Sequence, residues 1–83
     1  MKLARYVKFR EEKFGGVLFE TRSEKVFTLN ETAAAMVREI QAGGAEHDIS
    51  ARLRLRFRDE AGAIEPETSA FIAELRQKGL VEG

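Results

Sequence analysis

The sequence predicts a small α+β domain, a three-stranded antiparallel sheet followed by three helices. Up to residue 29 the apolar residues fall in short β-prone runs, the clearest of them alternating with period two. After Asn30 they recur every three or four residues, as on one face of a helix. Three strands cannot close into a barrel, so the helices must cover one face of the sheet. In content this is close to a winged helix-turn-helix.

Each element has its own justification. Tyr6-Val7-Lys8-Phe9-Arg10 alternates apolar with charged residues and reads as a half-buried strand. Gly15-Gly16 breaks the pattern, and Val17-Leu18-Phe19-Glu20 is a second β-prone run. The polar stretch Thr21-Arg22-Ser23-Glu24 turns the chain into Lys25-Val26-Phe27-Thr28-Leu29, so the second and third strands form a hairpin. Asn30 is a favoured helix N-cap, and Glu31 puts negative charge at the positive end of the helix dipole. Ala33, Met36, Val37 and Ile40 then form the apolar stripe of a helix over residues 31–42, which Gly43-Gly44 ends.

The next segment supports two readings. Ile49, Leu53 and Phe57 lie four apart, as in an amphipathic helix over residues 47–57, while Leu53-Arg54-Leu55-Arg56-Phe57 also alternates as a strand would. Helix is preferred, because Asp48 or His47 can cap it and alanine, leucine and arginine are good helix formers. Leu55 is then an exposed misfit. Residues 58–64 make a loop containing Asp59 and Gly62. Pro66 opens the last helix, where its missing N–H costs nothing, and Gly79 closes it before Leu80-Val81. Thr68, Phe71, Ile72 and Leu75 form its buried stripe.

Composition excludes several function classes. At 83 residues the chain is read as a single domain, residues 1–83. A domain of this size buries only roughly 60% of its unfolded surface, which leaves little room for an enclosed catalytic pocket. Fourteen basic and fourteen acidic side chains cancel, so no overall field draws the chain to nucleic acid or a membrane. There is no cysteine and one histidine, His47, which removes thiolate chemistry and most routes to a metal site or a histidine triad. The first residues carry no apolar run of a secretory signal, and none approaches the ~20 residues that cross a bilayer. A cytoplasmic location is the expectation.

A search for chemistry finds no catalytic candidate. The carboxylate clusters Glu11-Glu12, Asp59-Glu60 and Glu65 with Glu67 sit in expected turns and helix starts, where water screens them. His47 has no second histidine or cysteine to join it, and Ser23, Ser50 and Ser69 lack a nucleophile motif. Neither glycine pair is followed by a lysine at phosphate-loop spacing. The arginines at 52, 54, 56 and 58 could contact phosphates, but on a helix they spread around the circumference and nearby carboxylates offset them. No cofactor is expected.

Gly16-Val17-Leu18-Phe19, then Lys25-Val26-Phe27-Thr28-Leu29-Asn30-Glu31-Thr32-Ala33, resembles the PqqD family, in which a third strand ends in a Leu-Asn pair that opens the first helix. Glu67-Thr68-Ser69-Ala70-Phe71-Ile72-Ala73-Glu74-Leu75, then Gly79-Leu80-Val81, is similar to that family's closing segment. The likeness spans roughly residues 5–81. Thr68 departs from it where an apolar residue is commoner, and Glu67 where aspartate is commoner.

The resemblance implies a RiPP recognition element, a module that binds the leader segment of a ribosomally made, later modified peptide. It implies a groove between the third strand and the third helix and a partner enzyme, often a radical S-adenosylmethionine enzyme. The physics offers a mechanism for that groove, since an extended peptide can add to a free sheet edge by main-chain hydrogen bonds. Val26, Phe27, Thr28 and Leu29 would supply the edge, and Ser69, Ile72 and Arg76, at spacings of three and four, the helical wall. Arg76 would pair with an acidic leader residue. The competing expectations are a winged-helix DNA-binding or regulatory domain and a module that pairs its own edge with a second copy. The chain could accordingly be a monomer or an edge-strand dimer.

Overall fold

The computed structural model describes residues 1–58 and 62–83. Its elements run β1 (Lys2–Leu3), β2 (Val7–Glu12), β3 (Gly15–Glu20), β4 (Lys25–Leu29), α1 (Glu31–Gln41), α2 (Glu46–Arg56), α3 (Ile64–Gln77) and β5 (Val81–Glu82). The three expected strands are β2, β3 and β4, antiparallel in that order, and the three helices follow them. The α+β class holds. The structure adds a second sheet, in which β1 pairs antiparallel with β5 through Lys2–Glu82 and Leu3–Val81.

Gly15-Gly16 does not interrupt the sheet but opens β3; the turn is Lys13-Phe14, one step earlier. The reason is crowding. A Cβ on Gly15 would lie 2.2 Å from the Leu29 carbonyl oxygen, and one on Gly16 would lie 2.6 Å from the Phe9 ring. These glycines let neighbouring chain come close. At the β3–β4 turn, Ser23 Oγ donates to Glu20 at 2.5 Å and the Arg22 N–H donates to the same carboxylate at 2.7 Å. The Ser23 bond comes first among the causes that hold the Glu20 carboxyl below its usual pKa.

Asn30 caps α1 as expected, its side-chain oxygen accepting from the Ala33 N–H at 2.8 Å. The expected cap of α2 is not made: Ala45 is its N-cap, with no side-chain bond, and His47 and Asp48 lie inside its first turn. Leu55 is 88% exposed, as the helical reading requires, while Ile49 and Leu53 are buried. Pro66 is the third residue of α3 rather than the first, still within the first turn, where the N–H lacks a helical partner. The expected loop position Asp59, with the Asp59-Glu60 pair, lies outside the described residues.

The core gathers Leu18 and Leu29 from the sheet, Val37 and Ile40 from α1, Ile49 and Leu53 from α2, and Ile72 and Leu75 from α3. α1 packs on the sheet, α2 packs on α1, and α3 packs on α2 and β5. α3 does not pack on β4 to any comparable extent. That omission makes the site.

Candidate functional site

A groove of about 460 Å³ occupies the space that α3 leaves beside β4. One wall is β4, from Val26 to Leu29, continuing into Asn30 and Ala33 at the start of α1. The opposite wall is α3, through Phe71, Glu74, Leu75 and Lys78. Leu18, Leu29, Leu75 and Leu80 are buried and make an apolar floor, while Phe27 and Phe71 are half-buried. Glu74 and Lys78 form an exposed ion pair of 3.3 Å on the rim.

The end of α3 sets that floor. The Leu80 N–H bonds the Leu75 carbonyl at 2.9 Å and the Gly79 N–H bonds the Arg76 carbonyl at 3.0 Å, a Schellman cap. It requires a left-handed residue, and Gly79 supplies it at φ +73. The cap turns Leu80 back beneath the groove. Tyr6 Oη then donates to the Gly79 carbonyl at 2.7 Å, and the Ala4 N–H to the Leu80 carbonyl at 2.9 Å.

The backbone of β4 has one edge unpaired within its sheet. The Thr21 N–H bonds the Tyr6 carbonyl at 2.9 Å, so in β3 the odd-numbered residues point their backbone groups toward β2 and the even-numbered ones toward β4. Glu20, Leu18 and Gly16 face Lys25, Phe27 and Leu29, and these pairs form the β3–β4 ladder. Val26 and Thr28 therefore aim their N–H and C=O groups out from the sheet. Direct neighbours share a sheet face, so Phe27, paired with buried Leu18, points to the groove, and Val26 and Thr28 point to the outer face.

The other edge of the same sheet differs in character. β2 carries Lys8, Arg10, Glu11 and Glu12, the charges by which natural sheets discourage pairing. β4 carries one charge, Lys25, and exposes Val26.

The expected site residues divide. Val26, Phe27, Thr28 and Leu29 all line the groove. Ser69, Ile72 and Arg76 do not. Ile72 is fully buried in the core. Ser69 Oγ lies 3.3 Å from Glu46, and Arg76 pairs with the same carboxylate at 3.4 Å, so both face the start of α2. Phe71 and Leu75, which the sequence placed in the core stripe, and Glu74 and Lys78, which it passed over, are the helical wall. Their spacing of three and four was visible, but its direction was not.

Other chemistry stays sparse. Arg52 pairs with Glu39 at 3.2 Å and Arg54 with Glu65 at 2.5 Å, so these two arginines are engaged within the fold. His47 is exposed with Asp48 at 3.2 Å. Among the described residues, no group of three or more histidine, cysteine or acidic side chains could hold a metal. Among the described residues, no helix is long and apolar enough to cross a membrane.

Against known proteins, two solved structures share this fold across nearly the whole chain. One is TbiB1 in complex with the TbiA(beta) leader peptide, with a TM-score of 0.87 at 19% identity, covering 100% of this chain and 96% of that one. Another is a lasso peptide synthetase B1 complexed with the leader peptide, with a TM-score of 0.82 at 24% identity, covering 99% and 96%. No curated protein matches. The family model for coenzyme PQQ synthesis protein D (PqqD) matches residues 15–81, which include β4, α3 and every residue named above as a wall or floor of the groove. The chain belongs to the PqqD family.

Proposed function

We propose that this chain is a binding module rather than a catalyst, and that it holds the leader segment of a ribosomally made precursor peptide along β4. The observation that carries the reading is the pairing of an open sheet edge with an apolar groove. Val26 and Thr28 offer two N–H and two C=O groups to an added strand. A peptide residue lying opposite Phe27 turns its side chain into the groove, between Phe27 and Phe71. The two fold relatives solved with leader peptides support the same reading.

The energetics are within reach of a small domain. A micromolar complex needs about 8 kcal/mol of net binding free energy. A few strand bonds and one or two apolar side chains on the groove floor are enough to supply it. Bound in this way, the leader is presented to a separate modifying enzyme, for which membership of the PqqD family favours a radical S-adenosylmethionine enzyme. In the absence of peptide the same edge can pair with a second copy, so leader binding and self-association compete. The winged-helix DNA-binding alternative draws less support, because the chain is electrically neutral overall and Arg52 and Arg54 are spent on internal carboxylates.

The test is an amide chemical-shift titration of the labelled chain with leader segments of precursor peptides encoded beside it. Saturable shifts at residues 25–30 and 71–78 are expected. Silence there, together with shifts at residues 47–58 on adding duplex DNA, would replace this reading with the DNA-binding one.

A further inference from the structure

β4 has a second depression on its other side. On the outer face of the sheet, Val17, Phe19 and Val26 line a shallow apolar hollow of about 310 Å³, with Lys8 and Arg10 on its far rim. The register explains it: Lys8, Phe19 and Val26 form one row across the three strands, and Arg10, Val17 and Thr28 the next. Phe19 is 38% exposed and Val26 57% exposed, so the row leaves apolar surface in water. Val26 belongs to both hollows, and its backbone groups are those aimed at an added strand.

We infer that the outer hollow is a second specificity subsite, which takes a large apolar side chain of the same peptide that pairs with β4. This rests on the reading of β4 as the peptide-binding edge and adds a residue requirement to it. A strand laid beside β4 alternates its side chains between the sheet faces. The residue opposite Phe27 enters the groove. The residue opposite Val26 must fall on the outer face, against Val26, and a diagonal neighbour at roughly 7–8 Å is within reach of an aromatic or long aliphatic side chain. Phe19 is the next residue in that row. The peptide is therefore read on both faces of one strand, with apolar side chains on adjacent residues of opposite parity. A peptide is the more direct occupant than a second copy, because a strand on the β4 edge that flanks the hollow sets alternate side chains against it.

The probe is a displayed library of random extended peptides of about eight residues, enough to span β4 at roughly 3.4 Å per residue, selected on the full chain. Selected peptides are expected to shift the amides of residues 25–29 and to carry a large apolar residue next to the groove-facing one. Changing that residue to serine should weaken binding by about fivefold to tenfold. On Val26→Thr and Phe19→Thr, which put β-prone threonine in the strands, the same change should cost less than twofold, with amide dispersion confirming that each variant is folded. Peptides that bind at residues 25–29 with no such residue, or whose serine change costs the same on all three proteins, overturn the outer subsite and leave the groove reading standing. A library that yields no binder at β4 overturns both. Concentration-dependent association in the absence of peptide, abolished by Phe19→Thr, would assign the hollow to a second copy instead.

Discussion

α3 has two flanks, and the fold treats them oppositely. Toward α2 it is closed: Ile72 and Thr68 are buried, and Glu46 reaches both Ser69 and Arg76. Toward β4 it is open, with Phe71 and Phe27 half-exposed across a groove whose rim is an ion pair in water. The closed flank fixes where the helix stands. The open flank is free to bind because the closed one carries the packing.

The comparison breaks if changes on one flank act like changes on the other. The largest expected effect is Ile72→Ala, a buried deletion that should cost about 3 kcal/mol of stability by denaturant unfolding. It should alter peptide affinity only through the fraction folded. Next is Thr28→Pro, which removes an outward N–H without touching the β3–β4 ladder. It should weaken peptide binding by about a hundredfold, as losing one strand bond and its neighbours' alignment implies, while leaving the melting temperature within a few degrees.

Smaller effects sharpen the contrast. Thr68 is 1% exposed and its hydroxyl has no hydrogen-bond partner among the described residues. Thr68→Val should therefore leave stability unchanged or raise it by about 1 kcal/mol; a loss of that size would mean that the hydroxyl has a partner in solution. Arg76→Ala removes a half-exposed pair and should cost about 0.5 kcal/mol with no change in peptide affinity. A large loss of affinity in Arg76→Ala would restore that residue to the binding wall.

What the sequence reveals follows from which physical signal each element leaves. β2 and β4 have five or six residues and an Asn30 cap follows β4, so period and capping are legible. β1 and β5 have two residues each and carry no period at all. They form because the Schellman cap at Gly79 returns the chain to its beginning, a tertiary event. Gly15-Gly16 reads as a break because glycine weakens strands, yet here it permits close packing against Leu29 and Phe9.

The site divides in the same manner. The β4 wall of the groove is legible because the strand pattern gives the position of its backbone. The helical wall is not. Spacing defines two stripes on α3, one through Ser69, Ile72 and Arg76 and another through Phe71, Leu75 and Lys78. Only the rotation of the helix against α2 decides which of them faces β4, and that depends on contacts such as Ile72 in the core and Arg76 with Glu46. Alternation in Leu53-Arg54-Leu55-Arg56 offers a strand that does not form, because the four-residue spacing of Ile49 and Leu53 sets the buried face of a helix and leaves Leu55 exposed.

The most direct test of strand addition at β4 is amide hydrogen exchange at Val26 and Thr28, with and without a bound leader segment. Both N–H groups point away from the β3 ladder and should exchange fast in the free chain, then become strongly protected in the complex, with the edge residues of β2 unchanged. A saturating peptide that leaves Val26 and Thr28 exchanging as fast as before would contradict the account, whatever its affinity.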